Sequence, residues 1–198
     1  MASFTLAVVA GGKSTRMGRD KSFVVLNGRS LIEHVLERTR GLGQAETILI
    51  VNQPALYAHL GLPMFADLLP DKGSLGGIYT AIHHSGAPYT LCVACDMPFL
   101  NAELLRYQIS LAPDYDVVAP RVDHYPEGLH AVYSRACLPA IRARLAADRL
   151  KVIGFYQDVR VRYLDEPEWQ RFDPEGLSFR NINTPGELDA AGAIVPEN

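Results

Sequence analysis

Cysteine is scarce in this chain. Its 198 residues include 3, Cys92, Cys95 and Cys137, an odd and low number that cannot build a disulfide framework and that points to a reducing compartment. Cys92 and Cys95 have the C-x-x-C spacing of redox and zinc motifs, but no second cysteine pair supplies the remaining ligands of a zinc site. Their run reads as a strand, on which positions three apart face opposite ways, so both are expected to be packing residues. No apolar run approaches the ~20 residues of a membrane span, and no signal peptide is recognisable at the start. A cytoplasmic protein without a membrane partner is therefore expected. Excess positive charge is missing too. A net charge of -3 argues against a broad nucleic-acid surface, although a few aimed N–H groups and one lysine still suffice to hold phosphate. Two familiar phosphate-loop signatures are absent as well. A P-loop needs glycine five residues before Gly12, where Ala7 stands, and no Gly-x-Gly-x-x-Gly occurs.

What is present is a regular alternation. Phe4 to Ala10 is a short, continuous apolar run of buried-strand type, ended by two glycines. Ser30 opens a helix with Glu33 three residues later, the pattern of a capping box; Leu31, Val35, Leu36 and Leu42 form its apolar stripe. Thr47 to Val51 reads as a second strand closed by Asn52, followed by a short helix over Pro54 to Leu60 and a brief strand over Met64 to Ala66. Asp67 to Gly77 reads as a turn-rich loop and Ile78 to His84 as a helix. Tyr89 to Ala94 is a strand, Ala102 to Leu111 a helix and Asp116 to Ala119 a strand. Leu129 to Tyr133 and Val159 to Leu164 are further strands around a helix from Cys137 to Ala147. Asp165 to Phe179 has no clear pattern. Thr184, Pro185 and Glu187 start a final helix as N-cap, N1 and N3. Strand-helix alternation of this kind predicts an α/β fold: a three-layer, Rossmann-like α/β/α sandwich on a mostly parallel central sheet. With no repeat, linker or low-complexity tract, residues 1–198 read as a single domain.

The chemistry concentrates in Ala10-Gly11-Gly12-Lys13-Ser14-Thr15-Arg16-Met17-Gly18-Arg19-Asp20-Lys21. The stretch starts at a strand's carboxyl end, where α/β sheets bind ligands. Its glycines let backbone N–H groups approach an anion, and Arg16, Arg19 and Lys21 add charge suited to a triphosphate; an ordinary glycine turn with exposed arginines is the rival. Asp96, in Cys95-Asp96-Met97-Pro98-Phe99, follows a buried strand. A carboxylate there needs a partner or a hard cation such as Mg²⁺, unless it caps the helix starting near Asn101. Asp67 precedes Gly73-Ser74-Leu75-Gly76-Gly77, and Asn52 ends a strand; both also suit plain turns. Asn181 and Asn183 alternate along an extended segment and so share one face, suited to a polar acceptor, with capping alone as the other reading. His130 reads as a structural strand histidine.

Ala-Gly-Gly-x-Ser-x-Arg-Met-Gly-x-Asp-Lys after an apolar strand resembles the signature of the molybdenum cofactor guanylyltransferases, within the wider sugar-nucleotidyltransferase-like superfamily. Cys95-Asp96-Met97-Pro98 resembles that family's Cys-Asp-x-Pro, Asn181-Ile182-Asn183-Thr184-Pro185 its Asn-x-Asn-Thr-Pro, and Gly128-Leu129-His130-Ala131-Val132-Tyr133 its Pro-Leu-His-Ala-Val-Tyr. The motifs run in family order from Val8 to Leu188. The departures are Val9 for leucine, Ser74 for proline and Gly128 for proline. The resemblance implies the nucleotide-diphospho-sugar transferase fold, with an NTP-binding N-terminal half and an acceptor-binding C-terminal half. It implies nucleotide contacts from Ala10, Gly11, Gly12, Lys21, Asn52, Asp67 and Asp96, with Asp96 on Mg²⁺. Lys21, Asp96 and Arg16 become the catalytic candidates, and Asn181 and Asn183 the acceptor-binding ones. The implied reaction is attack by a phosphate oxygen of a molybdopterin-type acceptor on the α-phosphorus of GTP, releasing pyrophosphate. Molybdenum cofactor biosynthesis or acceptor proteins are the partner class this suggests. The Gly-Gly leader favours GTP over the CTP of cytidylyl relatives. A cytidylyltransferase, a sugar- or polyol-phosphate nucleotidyltransferase of this fold and a non-catalytic nucleotide-binding protein stay open as alternatives.

Overall fold

A computed structural model of the chain describes residues 2–10 and 21–194. The expectations placed on Gly11, Gly12 and Arg16 lie outside the described residues.

The first strand, β1 (Phe4–Val9), is buried along its whole length, as its unbroken apolar run requires of a strand covered on both faces. A 3₁₀ turn (Lys21–Phe23) leads through a small hairpin, β2 (Val25–Leu26) and β3 (Arg29–Ser30), into α1 (Leu31–Arg38). The capping box forms: the Glu33 carboxylate accepts from the Ser30 backbone N–H at 2.8 Å and from its hydroxyl. Strand β4 (Glu46–Ile50), α2 (Pro54–Tyr57), β5 (Met64–Phe65), α3 (Gly73–His84), β6 (Tyr89–Ala94) and α4 (Ala102–Leu111) follow. Then come β7 (Val117–Val122), β8 (Tyr125–Pro126), β9 (His130–Ser134), α5 (Leu138–Ala146), β10 (Val161–Leu164), α6 (Glu166–Trp169) and α7 (Pro185–Gly192).

The main sheet runs β10-β7-β9-β6-β1-β4-β5, with β8 paired to β7. β1 pairs in parallel with both β4 and β6, β4 with β5, and β7 with β10. Only β9, inserted between β6 and β7, and the short β8 run antiparallel. Each face carries its own core. Ile32 and Val35 of α1 and Leu104, Leu105 and Ile109 of α4 cover one face; Leu75 and Ile78 of α3 and Ile141 and Leu145 of α5 cover the other. This is the expected three-layer sandwich on a mostly parallel sheet. Cys95 packs in the first core and Cys92 in the second, so the C-x-x-C residues are split between faces. Burial pushes the Cys137 thiol up to about 12 and the Cys92 thiol higher still, against their ordinary values. Among the described residues no helix is long and apolar enough to cross a membrane.

The helix expected to begin at Ile78 begins at Gly73, five residues earlier. Gly73 opens it with a left-handed φ of +58°, the turn that glycine tolerates, whereas Gly76 and Gly77 are required by close packing. A Cβ on Gly77 would lie 2.8 Å from Val9 Cγ1, and one on Gly76 would lie 2.8 Å from Lys72 Cβ. Ser74, which stands where the resembling family has proline, is in the helix's first turn. Gly128 has a similar cause: a Cβ there would come 2.5 Å from Val152 Cγ1. These contacts give a testable consequence. Gly77→Ala should destabilise the fold by about 1–3 kcal/mol, the usual cost of overpacking a well-filled interior, despite alanine's better helix propensity. Urea unfolding checks it, and an unchanged or raised midpoint would show that α3 can shift away from β1.

Candidate active site

Four parallel strands end side by side on one edge of the sheet, in the order β6, β1, β4, β5. The residues just past those ends are Asp96, Ala10, Asn52 and Asp67. The ladder hydrogen bonds continue past the strands and hold these positions in line. Cys95 N donates to Val9 O at 3.3 Å, Ala10 N to Ile50 O at 3.0 Å and Val51 N to Phe65 O at 2.9 Å. Neighbouring strands are about 4.8 Å apart, so the step from Asp96 to Asp67 across three gaps spans roughly 14 Å. The chain reverses its direction of sheet growth between β1 and β6, and ligands in open α/β sheets bind outside the carboxyl ends at such a switch point.

At the β6 end, the Lys21 ammonium is bonded to the Asp96 carboxylate and to the Asn183 side-chain oxygen. These partners are 75 and 162 residues away in sequence. Lys21 is 8% exposed, so its charge needs both acceptors. The same contact line holds the C-terminal segment: Ile182 N donates to Asp96 O at 3.0 Å, and the Ile182 side chain is buried in a third apolar cluster with Leu26, Leu31 and Phe99. Burying Ile182 turns its neighbours Asn181 and Asn183 the other way, as strand alternation requires. Thr184 caps α7 by accepting from Glu187 N, and the Glu187 carboxylate accepts from the N–H groups of Asn183 and Thr184, which keep it below the usual carboxylate range. The cap thus fixes Asn183 without using its side chain, and both capping readings resolve. Thr184 serves α7, and Asn101, whose side chain accepts from Glu103 N and Leu104 N, serves α4. Asp96 is left for other work.

A cavity of about 460 Å³ adjoins this cluster, lined by Phe99, Arg180, Asn181, Ile182, Asn183 and Glu187 among others. Its volume falls in the range that holds small organic ligands. Arg180 and Phe99 were not legible as site residues from sequence; their only signal is position, one residue before Asn181 and three after Asp96.

At the far end, Asn52 and Asp67 bind each other. Asn52 Nδ2 donates to Asp67 Oδ2 at 2.8 Å, and Asp67 N donates to Asn52 Oδ1 at 3.0 Å. Leu68 N is held by Thr80 Oγ1 of α3 at 3.1 Å. The second carboxylate oxygen, Asp67 Oδ1, is buried without a hydrogen-bond partner among the described residues, and desolvation raises the Asp67 carboxyl above its ordinary value despite the Asn52 contact. Such an open buried acceptor is available to an N–H or O–H donor. His130, by contrast, is fully buried against Phe179, and burial pulls its imidazole down to about 4, in keeping with a structural role.

The description MobA-like NTP transferase domain matches residues 6–160. The chain belongs to this family. The transferase is 36% identical over 198 residues to a Pelotomaculum thermopropionicum protein, covering 100% of this chain and 96% of the relative. It is 34% identical over 197 residues to one from Desulfosudis oleivorans, covering 98% and 97%. Both relatives carry the name molybdenum cofactor guanylyltransferase, the first with the qualifier probable. The crystal structure of molybdopterin-guanine dinucleotide biosynthesis protein A from Archaeoglobus fulgidus superposes with a TM-score of 0.83 at 30% identity, covering 96% of the transferase and 97% of that chain. The family match ends at residue 160, so the segment that carries Asn181 and brings Asn183 to Lys21 lies beyond it. The full-length relatives span that segment too.

Proposed function

We propose that this nucleotidyltransferase moves GMP from GTP to the phosphate of molybdenum-molybdopterin, forming molybdopterin guanine dinucleotide and pyrophosphate. The observation that carries the reading is the meeting of Lys21, Asp96 and Asn183, drawn from three distant motifs to one point on the ligand-binding edge. The names of the full-length relatives favour the guanylyl donor and the molybdopterin acceptor. The N-terminal half, with Ala10, Lys21, Asn52, Asp67 and Asp96, holds GTP along the sheet edge. The C-terminal half, with Asn181, Asn183 and the adjoining cavity, holds the acceptor.

The residues present fit a magnesium ion shared with substrate. Among the described residues no three of His, Cys, Asp and Glu gather into a metal cage, and Mg²⁺ is commonly held by one or two carboxylates together with phosphate oxygens and water. Asp96 is the carboxylate that would hold it, where it would neutralise charge on the α-phosphate. The attacking phosphate oxygen is already anionic, so catalysis rests on alignment and charge neutralisation and needs no strong general base. In this arrangement Lys21 neutralises Asp96 until the nucleotide arrives, then turns its ammonium to the departing pyrophosphate. Asn183 keeps the lysine aimed, and Asn181 orients the acceptor. The direct test is incubation with Mg²⁺, molybdopterin acceptor and each of GTP, CTP, ATP and UTP, reading pyrophosphate and the dinucleotide product. Product with CTP in place of GTP would move the enzyme to the cytidylyl branch, and no product with any nucleotide would refute transfer.

Asp67 supplies a pH signature. Its open Oδ1 accepts from the nucleoside only when ionised, and burial places its pKa above the ordinary carboxylate value. As pH falls through that raised value the acceptor is lost, so KM for GTP should rise on the acid side earlier than an ordinary carboxylate would make it. Asp67→Asn should weaken GTP binding about tenfold, the worth of roughly 1.5 kcal/mol for a hydrogen bond to a charged group, and flatten that acid limb. Isothermal titration of GTP between pH 5 and 8 checks both; an unchanged limb in the variant would assign it to another group.

A further inference from the structure

Directly behind the Lys21–Asp96 pair runs a second, buried line of polar atoms. Ser22 is fully buried, Tyr57 is 1% exposed and Cys95 is 8% exposed. Ser22 Oγ lies 2.8 Å from Tyr57 Oη and donates to Cys95 Sγ at 3.3 Å. Either hydroxyl can donate in the contact between Ser22 and Tyr57. The contacts link Tyr57, Ser22 and Cys95 in one buried line, in which neighbouring hydrogen bonds polarise one another. Phe23 packs on the Tyr57 ring at 4.8 Å between centroids. Each of the three residues belongs to a different loop of the site. Ser22 follows Lys21, Cys95 precedes Asp96, and Tyr57 closes the short helix that begins two residues after Asn52.

We infer that Ser22 is a positioning residue for the transfer reaction, its hydroxyl tying the backbone that carries Lys21 to the backbones that carry Asp96 and Asn52. The proposal rests on Lys21 and Asp96 being the reacting pair's partners. A lysine reaches its target on a flexible four-carbon stem, so the place where its backbone starts decides how often the ammonium meets the phosphate. A misplacement near 1 Å can cost about 100-fold in rate. Buried hydroxyls and a thiol in one satisfied line favour a single arrangement. The sequence does not show this line, because Ser22 and Tyr57 carry no motif of their own and Cys95 reads as a packing cysteine until the fold brings them together.

The test compares Ser22→Ala, Tyr57→Phe and their double variant in the full chain, with Lys21→Ala alongside. Tyr57→Phe keeps the ring and its contact with Phe23, so it stays informative even if Ser22→Ala folds poorly. The expected result is kcat lowered about tenfold by Ser22→Ala and about fivefold by Tyr57→Phe. KM for GTP should stay within about twofold, and Tm within about 3 °C. The double variant should be no slower than Ser22→Ala, because either change breaks the same line. Wild-type kcat in both single variants, with or without a fall in Tm, would overturn the proposal and leave a packing contact. If Lys21→Ala also kept wild-type turnover, the catalytic reading of Lys21 would fall with it; if Lys21→Ala were slow, only the positioning role would be lost.

Discussion

Asp96→Asn is expected to lower magnesium-supported turnover about 1000-fold while the protein stays folded. Asparagine keeps the shape and one oxygen acceptor for Lys21 but removes the charge that a hard cation requires. Loss of metal-borne charge stabilisation is worth several kcal/mol, and about 4 kcal/mol corresponds to that factor in rate. The stability cost should be modest. The Asp96 side chain is 15% exposed, and its backbone oxygen still accepts from Ile182 N. A magnesium titration of product formation, run beside a thermal melt, separates the two effects. The same magnesium dependence and rate in the variant would remove Asp96 from the metal. Loss of turnover together with the melting transition would instead show that the Lys21–Asp96 pair is needed to fold.

Lys21→Ala is expected to lower kcat about 100-fold, the loss of roughly 3 kcal/mol of charge contact with the transition state. From the sequence, Lys21 reads as a residue of a polar loop whose removal leaves the core untouched. The structure corrects its surroundings: it is buried and held by two side chains. Truncation therefore strands the Asp96 carboxylate and should also lower Tm by a few degrees, on the order of 1 kcal/mol, since partial solvent contact softens the penalty. The ratio decides the role. A rate loss far larger than the stability loss makes Lys21 catalytic, and near wild-type turnover rules that out. Lys21→Arg sharpens the point, because a planar, longer head keeps the charge but not the geometry.

How much of this was legible in the sequence depended on the kind of signal. The continuous apolar runs of β1 and β6 and the cap residues Ser30 and Thr184 marked their elements closely, because burial on both faces and capping each leave a local trace. Helix α3 hid its start, since its opening glycines are poor helix formers: Gly73 is there for a backbone φ of +58° and Gly76 and Gly77 for contacts with Lys72 and Val9. The 3₁₀ segment Val152–Asp158 had no periodicity to reveal it. Among site residues, Lys21, Asp96 and Asn183 stood out through their motifs, but nothing local says that Asn183 bonds Lys21 or that Asn52 bonds Asp67. Such partnerships are decided by strand order. Arg180 and Phe99 gave no signal beyond standing near Asn181 and Asp96, and Ser22 and Tyr57 gave none, because their surroundings are made by residues far along the chain.

The contact between Lys21 and Asn183 bears on how the enzyme is born. It closes a loop of 162 residues, whereas the sheet edge proposed to grip the nucleotide is assembled from β1, β4, β5 and β6, all within the first 94 residues. A chain emerging from the ribosome can thus form that edge long before its last segment exists, and the entropic cost of closing so long a loop is incurred only when that segment docks. The final step of maturation is then also the step that completes the proposed acceptor side, so on that proposal an unfinished chain should be able to hold GTP without the means to spend it.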